Sequence, residues 1–337
     1  MRKPSFVAEL NMILFLVAVV FGFVALTWSA DKFVDGAAST AKHLGMSSLL
    51  IGIVIVGFGT SAPEMVVSAI AAFQGNHAIA LGNALGSNTT NIGLVLGLSA
   101  LISPIMVHSK IIKKEMPLLL FIAMLNGYFL FDGVLTFFEG LVLFLGCFAM
   151  VGWSVFESIR AKRDSLGRQM TQELNEEPKM SLHVSIVWLL VGLVLLVISS
   201  RFIVWGAVGI ASSLGVSDLI IGLTIIALGT SLPELATSIT ASFKHEHDIA
   251  LGNIVGSNMF NSLAVIGIAT VISPADDIAP EVFYRDWGVM FLLTVMLFAM
   301  MYRFGGKEPI INRAKGAILF ACYIAYNVYL GMNAILS

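Results

Sequence analysis

Long apolar runs separated by short polar clusters recur along the whole chain and predict ten membrane-spanning helices. They run near residues 7–30, 47–73, 78–102, 116–131, 134–156, 183–207, 217–243, 248–272, 287–303 and 316–336. The longest polar connection, residues 157–180, reads as a solvated linker too short for a folded regulatory domain. It separates a first membrane half, residues 1–156, from a second, residues 181–337.

The chain also repeats itself. A shift of 170 residues lays Gly52–Pro104 on Gly222–Pro274 without a gap, with 25 of 53 positions identical. GTSAPE (59–64) returns as GTSLPE (229–234), and GNALGSNTTN (82–91) as GNIVGSNMFN (252–261). Each half holds five predicted spans, and because five is odd the second half enters the membrane from the opposite side. The expected architecture is therefore all-α and polytopic, ten helices in two inverted five-helix repeats. That arrangement is used by many secondary transporters, with a site at the midplane between the halves.

Composition agrees. Of 337 residues 58% are hydrophobic and 12% charged, where soluble domains average about 25% charged; the mean hydropathy is +0.92. The net charge of −2 and the lack of a basic cluster with interleaved aromatics give no sign of a nucleic-acid partner. Fifteen of the nineteen Lys and Arg residues fall on the odd-numbered connections, which the positive-inside rule places in the cytoplasm, with both termini outside. The first run resembles a signal peptide, but Trp28 would stand where a cleavage after Ala30 wants a small residue, so it is read as a retained helix. Cys147 and Cys322 lie inside apolar runs and read as small core residues.

The chemistry concentrates in the repeated motifs. Pro63 lacks an N–H and its ring opposes the Gly59 carbonyl, so the second span must bend or break there. Freed carbonyls in hydrocarbon need a partner, and a cation is one. Thr60 and Ser61 add hydroxyls at the break, and Glu64 opens the following half-helix, where the helix dipole favours a carboxylate. Thr230, Ser231, Pro233 and Glu234 repeat the set. A single proline would suggest only a kink. Two carboxylates near mid-span, at equivalent places in a repeat, point to a functional site, because each costs a few kcal/mol to insert.

In the third span Asn83, Ser87 and Asn91 share one face at helical spacing, with Gly82, Gly86, Gly93 and Gly97 on another; Asn253, Ser257 and Asn261 repeat the polar row. The glycine face predicts close helix packing and the polar face oxygen ligands. KHEHD (244–248) and PADDIAPE (274–281) read as solvated connections.

The paired GTSxPE and GNxxGSNxxN stretches resemble the two α-repeats of the cation/calcium exchanger superfamily, in its bacterial sodium/calcium exchanger-like branch, over essentially the whole chain. The resemblance implies antiport of Ca2+ against Na+ by alternating access in a bacterial or archaeal plasma membrane, without cofactor or enzymatic chemistry, in a chain sufficient as a monomer. It also implies the ligand set. Glu64 and Glu234 are shared carboxylates, and Thr60 and Thr230 give carbonyls to Ca2+. Ser61, Ser231, Ser87 and Ser257 line sodium positions, joined by carbonyls near Gly57 and Ala227, with Asn91 and Asn261 at the centre. Some relatives, potassium-dependent ones among them, carry aspartate where this chain has Asn261, so potassium dependence is not expected. The alternative is Ca2+/H+ antiport on the same glutamates. An intramembrane hydrolase is disfavoured, because the chain has no HExxH or GxSxG and no histidine within a predicted membrane core.

Overall fold

The structure, a computed structural model, describes residues 6–108, 111–164, 180–215, 227–302 and 309–336. Helix α1, Phe6–Leu44, does not stop near residue 30; it continues through Asp31, Lys32 and Asp35. Nothing in DKFVDGAASTAKHL forces a stop before Gly45, whose left-handed φ of 60° ends the helix. Helix α2, Ser48–Thr60, contains a π-helical stretch, Gly52–Val56, and meets α3, Ala62–Phe73, at a 42° bend. The predicted break at the GTSAPE motif is thus present, with Ser61 as its pivot residue.

Helix α4, His77–Ile102, is π-helical over Asn91–Leu96. Helix α5, Met116–Leu130, follows a π-helical turn, Ile111–Glu115. Helix α6, Phe137–Asp164, starts with a capping box in which the Glu139 carboxylate accepts from the Thr136 N–H and hydroxyl, both at 2.8 Å. It runs eight residues into the stretch read as linker, whose residues 165–179 lie outside the described ones. Helix α7, Leu182–Ser213, ends before Gly215 (φ 78°). Of the predicted seventh span only α8, Ala227–Thr230, and α9, Leu232–Phe243, are described. Helix α10, His247–Ile272, is π-helical over Asn261–Val265. Helix α11, Val282–Met301, opens with a π-helical turn, Val282–Trp287, and α12 spans Arg313–Leu336. Among the described residues six helices are long and apolar enough to cross a membrane, or seven if α2 and α3 form one broken span.

Helices α4 and α10 are the centre of the molecule. Their most apolar stretches are 78% and 89% buried, against 17–28% for α1, α6, α7 and α11. Leu81, Leu85, Ile92 and Leu96 of α4 share one core with Leu251, Val255, Met259 and Phe260 of α10. A second cluster, around Phe33 and Val34 of α1 and Leu189 and Leu196 of α7, packs on Ile51, Val56 and Ile249. Connections meet in pairs. Strand β1, Ile105–Met106, pairs antiparallel with β2, Ile310–Ile311, and Leu135 bridges Ala275.

Several glycines of the repeat pack tightly, but not as one face. A Cβ on Gly252 would stand 2.8 Å from the Leu49 carbonyl oxygen, and one on Gly256 2.5 Å from that of Ile53, so α10 lies against the backbone of α2. Gly93 and Gly97 instead meet Tyr323, Phe320 and Gly316 of α12. A Cβ on Gly82 or Gly86 would meet nothing within 4 Å among the described residues, so the expected single packing stripe through Gly82, Gly86, Gly93 and Gly97 is not seen. The turn 244–248 is also less solvated than expected: His247 is buried, Asp248 bonds His108 at 2.6 Å, and Lys244 is ion-paired to α1.

Candidate ion-binding site

Each broken span places a Thr–Ser pair at the end of one short helix and a glutamate in the first turn of the next. Ser61 and Ser231 occupy the N-cap positions of α3 and α9, yet neither side chain caps its helix. Both hydroxyls are buried without a hydrogen-bond partner among the described residues. The same is true of all four carboxylate oxygens of Glu64 and Glu234, each residue being 1% exposed. Glu64 faces Thr230 and Glu234 faces Thr60, so each acid reaches toward the threonine of the other half, and the two acids act on each other electrostatically.

Helices α4 and α10 brace the breaks. Asn83 Nδ2 donates to the Glu64 carbonyl (3.1 Å) and to Ser68 Oγ (2.9 Å); Asn253 Nδ2 donates to the Glu234 carbonyl (3.3 Å) and to Ser238 Oγ (2.9 Å). These two asparagines use their amide hydrogens to hold the backbone at each glutamate, which leaves their oxygens to accept. Asn253 Oδ1 accepts from Thr60 Oγ1 at 2.9 Å, and Ser257 Oγ donates to the Gly57 carbonyl at 3.3 Å and lies 3.2 Å from Thr60 Oγ1. Thr60, Gly57 and Ser257 therefore come together, with hydroxyl hydrogens committed to protein acceptors and oxygen lone pairs left over.

Ser87 is buried on α4, and Ala227 opens α8. Asn91 and Asn261 each begin a π-helical segment and are fully buried. Asn91 Nδ2 donates to Asn258 Oδ1 at 3.2 Å, while Asn88 Nδ2 donates to Ser262 Oγ at 2.8 Å. Neither polar atom of Asn261 has a partner among the described residues. The pairs through Asn88, Asn258 and Ser262 escaped the sequence reading, although GSN recurring in both motifs was a usable signal for the two asparagines.

No group of three His, Cys, Asp or Glu among the described residues could hold a metal. With only two acids, a cation here would complete its shell from hydroxyl, amide, carbonyl or water oxygens. That donor set suits hard cations such as Ca2+ and Na+.

A helical membrane chain with a broken span and two buried carboxylates fits the ion-transporter class. The family model for sodium/calcium exchanger protein matches residues 14–156 and 184–332, and the chain belongs to that family. CaxA of Alkalimonas amylolytica is 49% identical over 94% of this chain and 99% of its own. The sodium/calcium exchanger MaX1 of Methanosarcina acetivorans is 29% identical over 93% and 97%. The solved sodium-calcium exchanger NCX_Mj, soaked with Na+ and Sr2+, superposes with a TM-score of 0.79 at 30% identity, covering 93% of this chain and 97% of that one. The chain is thus a multi-pass membrane antiporter of the cation/calcium exchanger superfamily.

Proposed function

We propose that the protein exchanges Ca2+ for Na+ by alternating access at the site around Glu64 and Glu234. The observation that carries this reading is the pair of buried carboxylates, each facing the threonine of the other half, beside the buried, unpartnered hydroxyls of Ser61 and Ser231. Unpaired buried charge is costly, so these oxygens suit a bound cation. Two ionised glutamates are neutralised by one Ca2+ or balanced by several Na+, and competition for shared ligands couples the fluxes. An empty site would leave bare carboxylates in a medium of low dielectric, which discourages movement of the unloaded carrier.

The ligand set is Glu64, Glu234, Thr60, Thr230, Ser61, Ser231, Ser87, Ser257, Asn91 and Asn261, with carbonyls near Gly57 and Ala227. The scaffold is ten spans in two inverted halves. Its support is that connections meet in alternate sets: residues 105–106 with 310–311 and His108 with Asp248 among odd ones, Leu135 with Ala275 among even ones. Odd connections face the cytoplasm and the termini lie outside.

The test is 45Ca2+ uptake into proteoliposomes under imposed Na+, K+ and H+ gradients. Uptake driven by outward Na+ at fixed pH supports the reading. Uptake driven only by a proton gradient would replace it with Ca2+/H+ antiport on the same glutamates.

A further inference from the structure

Helices α1 and α7 pack on each other closely. A Cβ on Gly36 would lie 2.6 Å from the Leu189 nitrogen, and one on Gly192 2.9 Å from Phe33 Cα. Their cluster is separate from the main core, and both are among the least buried helices. Through α7 the pair also lies over both breaks. Gly59 faces Leu193, Gly229 faces Val204, and Ser200 Oγ donates to the Gly229 carbonyl at 3.1 Å. A peripheral pair that touches both breaks is well placed to cover or uncover the site.

One end of this pair is tied to the rest of the molecule by charge. Lys244, in the turn after α9, places Nζ 2.7 Å from Asp31 Oδ1 and 2.8 Å from Asp35 Oδ1, and donates to the Asp31 carbonyl at 2.8 Å. Lys32 also pairs with Asp31, at 3.3 Å. Among the described residues the repeat forms no equivalent ion pair at the other end, where Arg201 of α7 instead acts on Glu64 through space. Gln74 stands where the second half has Lys244, and Arg201 and Trp205 stand where the first has Asp31 and Asp35. Gln74 and Arg201 are exposed and form no ion pair among the described residues.

We infer that Lys244, Asp31 and Asp35 form a one-sided ionic clasp that holds the α1–α7 pair closed at the Lys244 end, so that the carrier rests with its site facing the Gln74 end. The inference rests on the alternating-access reading. Exposed ion pairs are individually weak. Here one half-buried ammonium joins two carboxylates and a carbonyl, and its removal leaves Asp31 and Asp35 as like charges one helical turn apart. A contact made in one state and absent from the other shifts the balance between them, and only such a contact does. The three residues are positioning residues, since none touches the ion.

The experiment compares wild type, Lys244→Gln, Lys244→Arg and Asp31→Asn/Asp35→Asn in side-sorted proteoliposomes, reading the KM for Ca2+ at each face. Lys244→Gln should raise KM at the Gln74 face and lower it at the Lys244 face, each by about three- to tenfold. Lys244→Arg should restore both values, and adding Lys244→Gln to the double aspartate variant should change neither further. Spin labels at the exposed Val24 of α1 and Phe148 of α6 report the same balance without transport, as a shift between two distance populations. If wild type shows no Na+-driven uptake yet the populations shift in Lys244→Gln, the exchange reading fails and the clasp stands. KM values that move together at both faces, or unmoved distance populations, would overturn the clasp.

Discussion

Thr60 Oγ1 donates to Asn253 Oδ1 at 2.9 Å, joining residues 193 positions apart, while the Asn253 amide holds the Glu234 carbonyl. One asparagine thus links the break of the first half to the glutamate of the second. Replacing it with leucine leaves the Glu234 carbonyl, Ser238 Oγ and Thr60 Oγ1 without this partner. Asn253→Leu is expected to cost about 1–3 kcal/mol of stability and to abolish exchange. Asn83→Leu, at a half-buried position, should cost less. Thermal unfolding of both variants in detergent checks the order.

Glu64→Gln and Glu234→Gln should each reduce Na+-driven calcium flux to background, while the purified proteins stay monodisperse. The amide keeps the shape but removes the charge that balances the cation. Substantial flux in either variant would show that the two acids are not shared ligands.

Asn261→Asp adds a third carboxylate at a buried position whose polar atoms have no protein partner among the described residues. Three carboxylates at one site resist simultaneous ionisation, so the site takes up a proton or a further cation. Calcium flux should become more steeply dependent on pH between about 5 and 8, and a response to K+ should be sought. Profiles that differ from wild type only by a constant factor would make Asn261 structural.

Gly256→Ala and Gly252→Ala should each destabilise the protein by about 1–3 kcal/mol. The added methyl groups meet the backbone of Ile53 and Leu49, which cannot rotate away. Gly152→Ala, on the exposed surface of α6 with nothing within 4 Å of its Cβ, is the control. It should be neutral or slightly stabilising. Thermal unfolding of the three proteins separates the cases.

A cysteine at position 170, in a background lacking Cys147 and Cys322, should resist an impermeant thiol reagent in intact cells and label in inverted vesicles. The opposite result would reverse the orientation drawn from the Lys and Arg asymmetry.

The broken second span, the glutamates at 64 and 234 and the recurrence of both motifs were legible in the sequence because each has a local cause. A proline inside an apolar run cannot continue the helix that precedes it, a carboxylate in such a run is conspicuous, and a repeat is visible by alignment of the chain with itself. The extent of α1 was less legible, since charges at Asp31 and Asp35 suggest a loop when Lys244, 213 residues beyond Asp31, is not seen beside them. The π-helical turns at Asn91 and Asn261 have no local signature. The use of Asn83 and Asn253 as backbone braces likewise emerged only from the tertiary structure. An amide offers donors and an acceptor equally, and which of them faces the glutamate carbonyl is set by how α4 and α10 pack against the breaks.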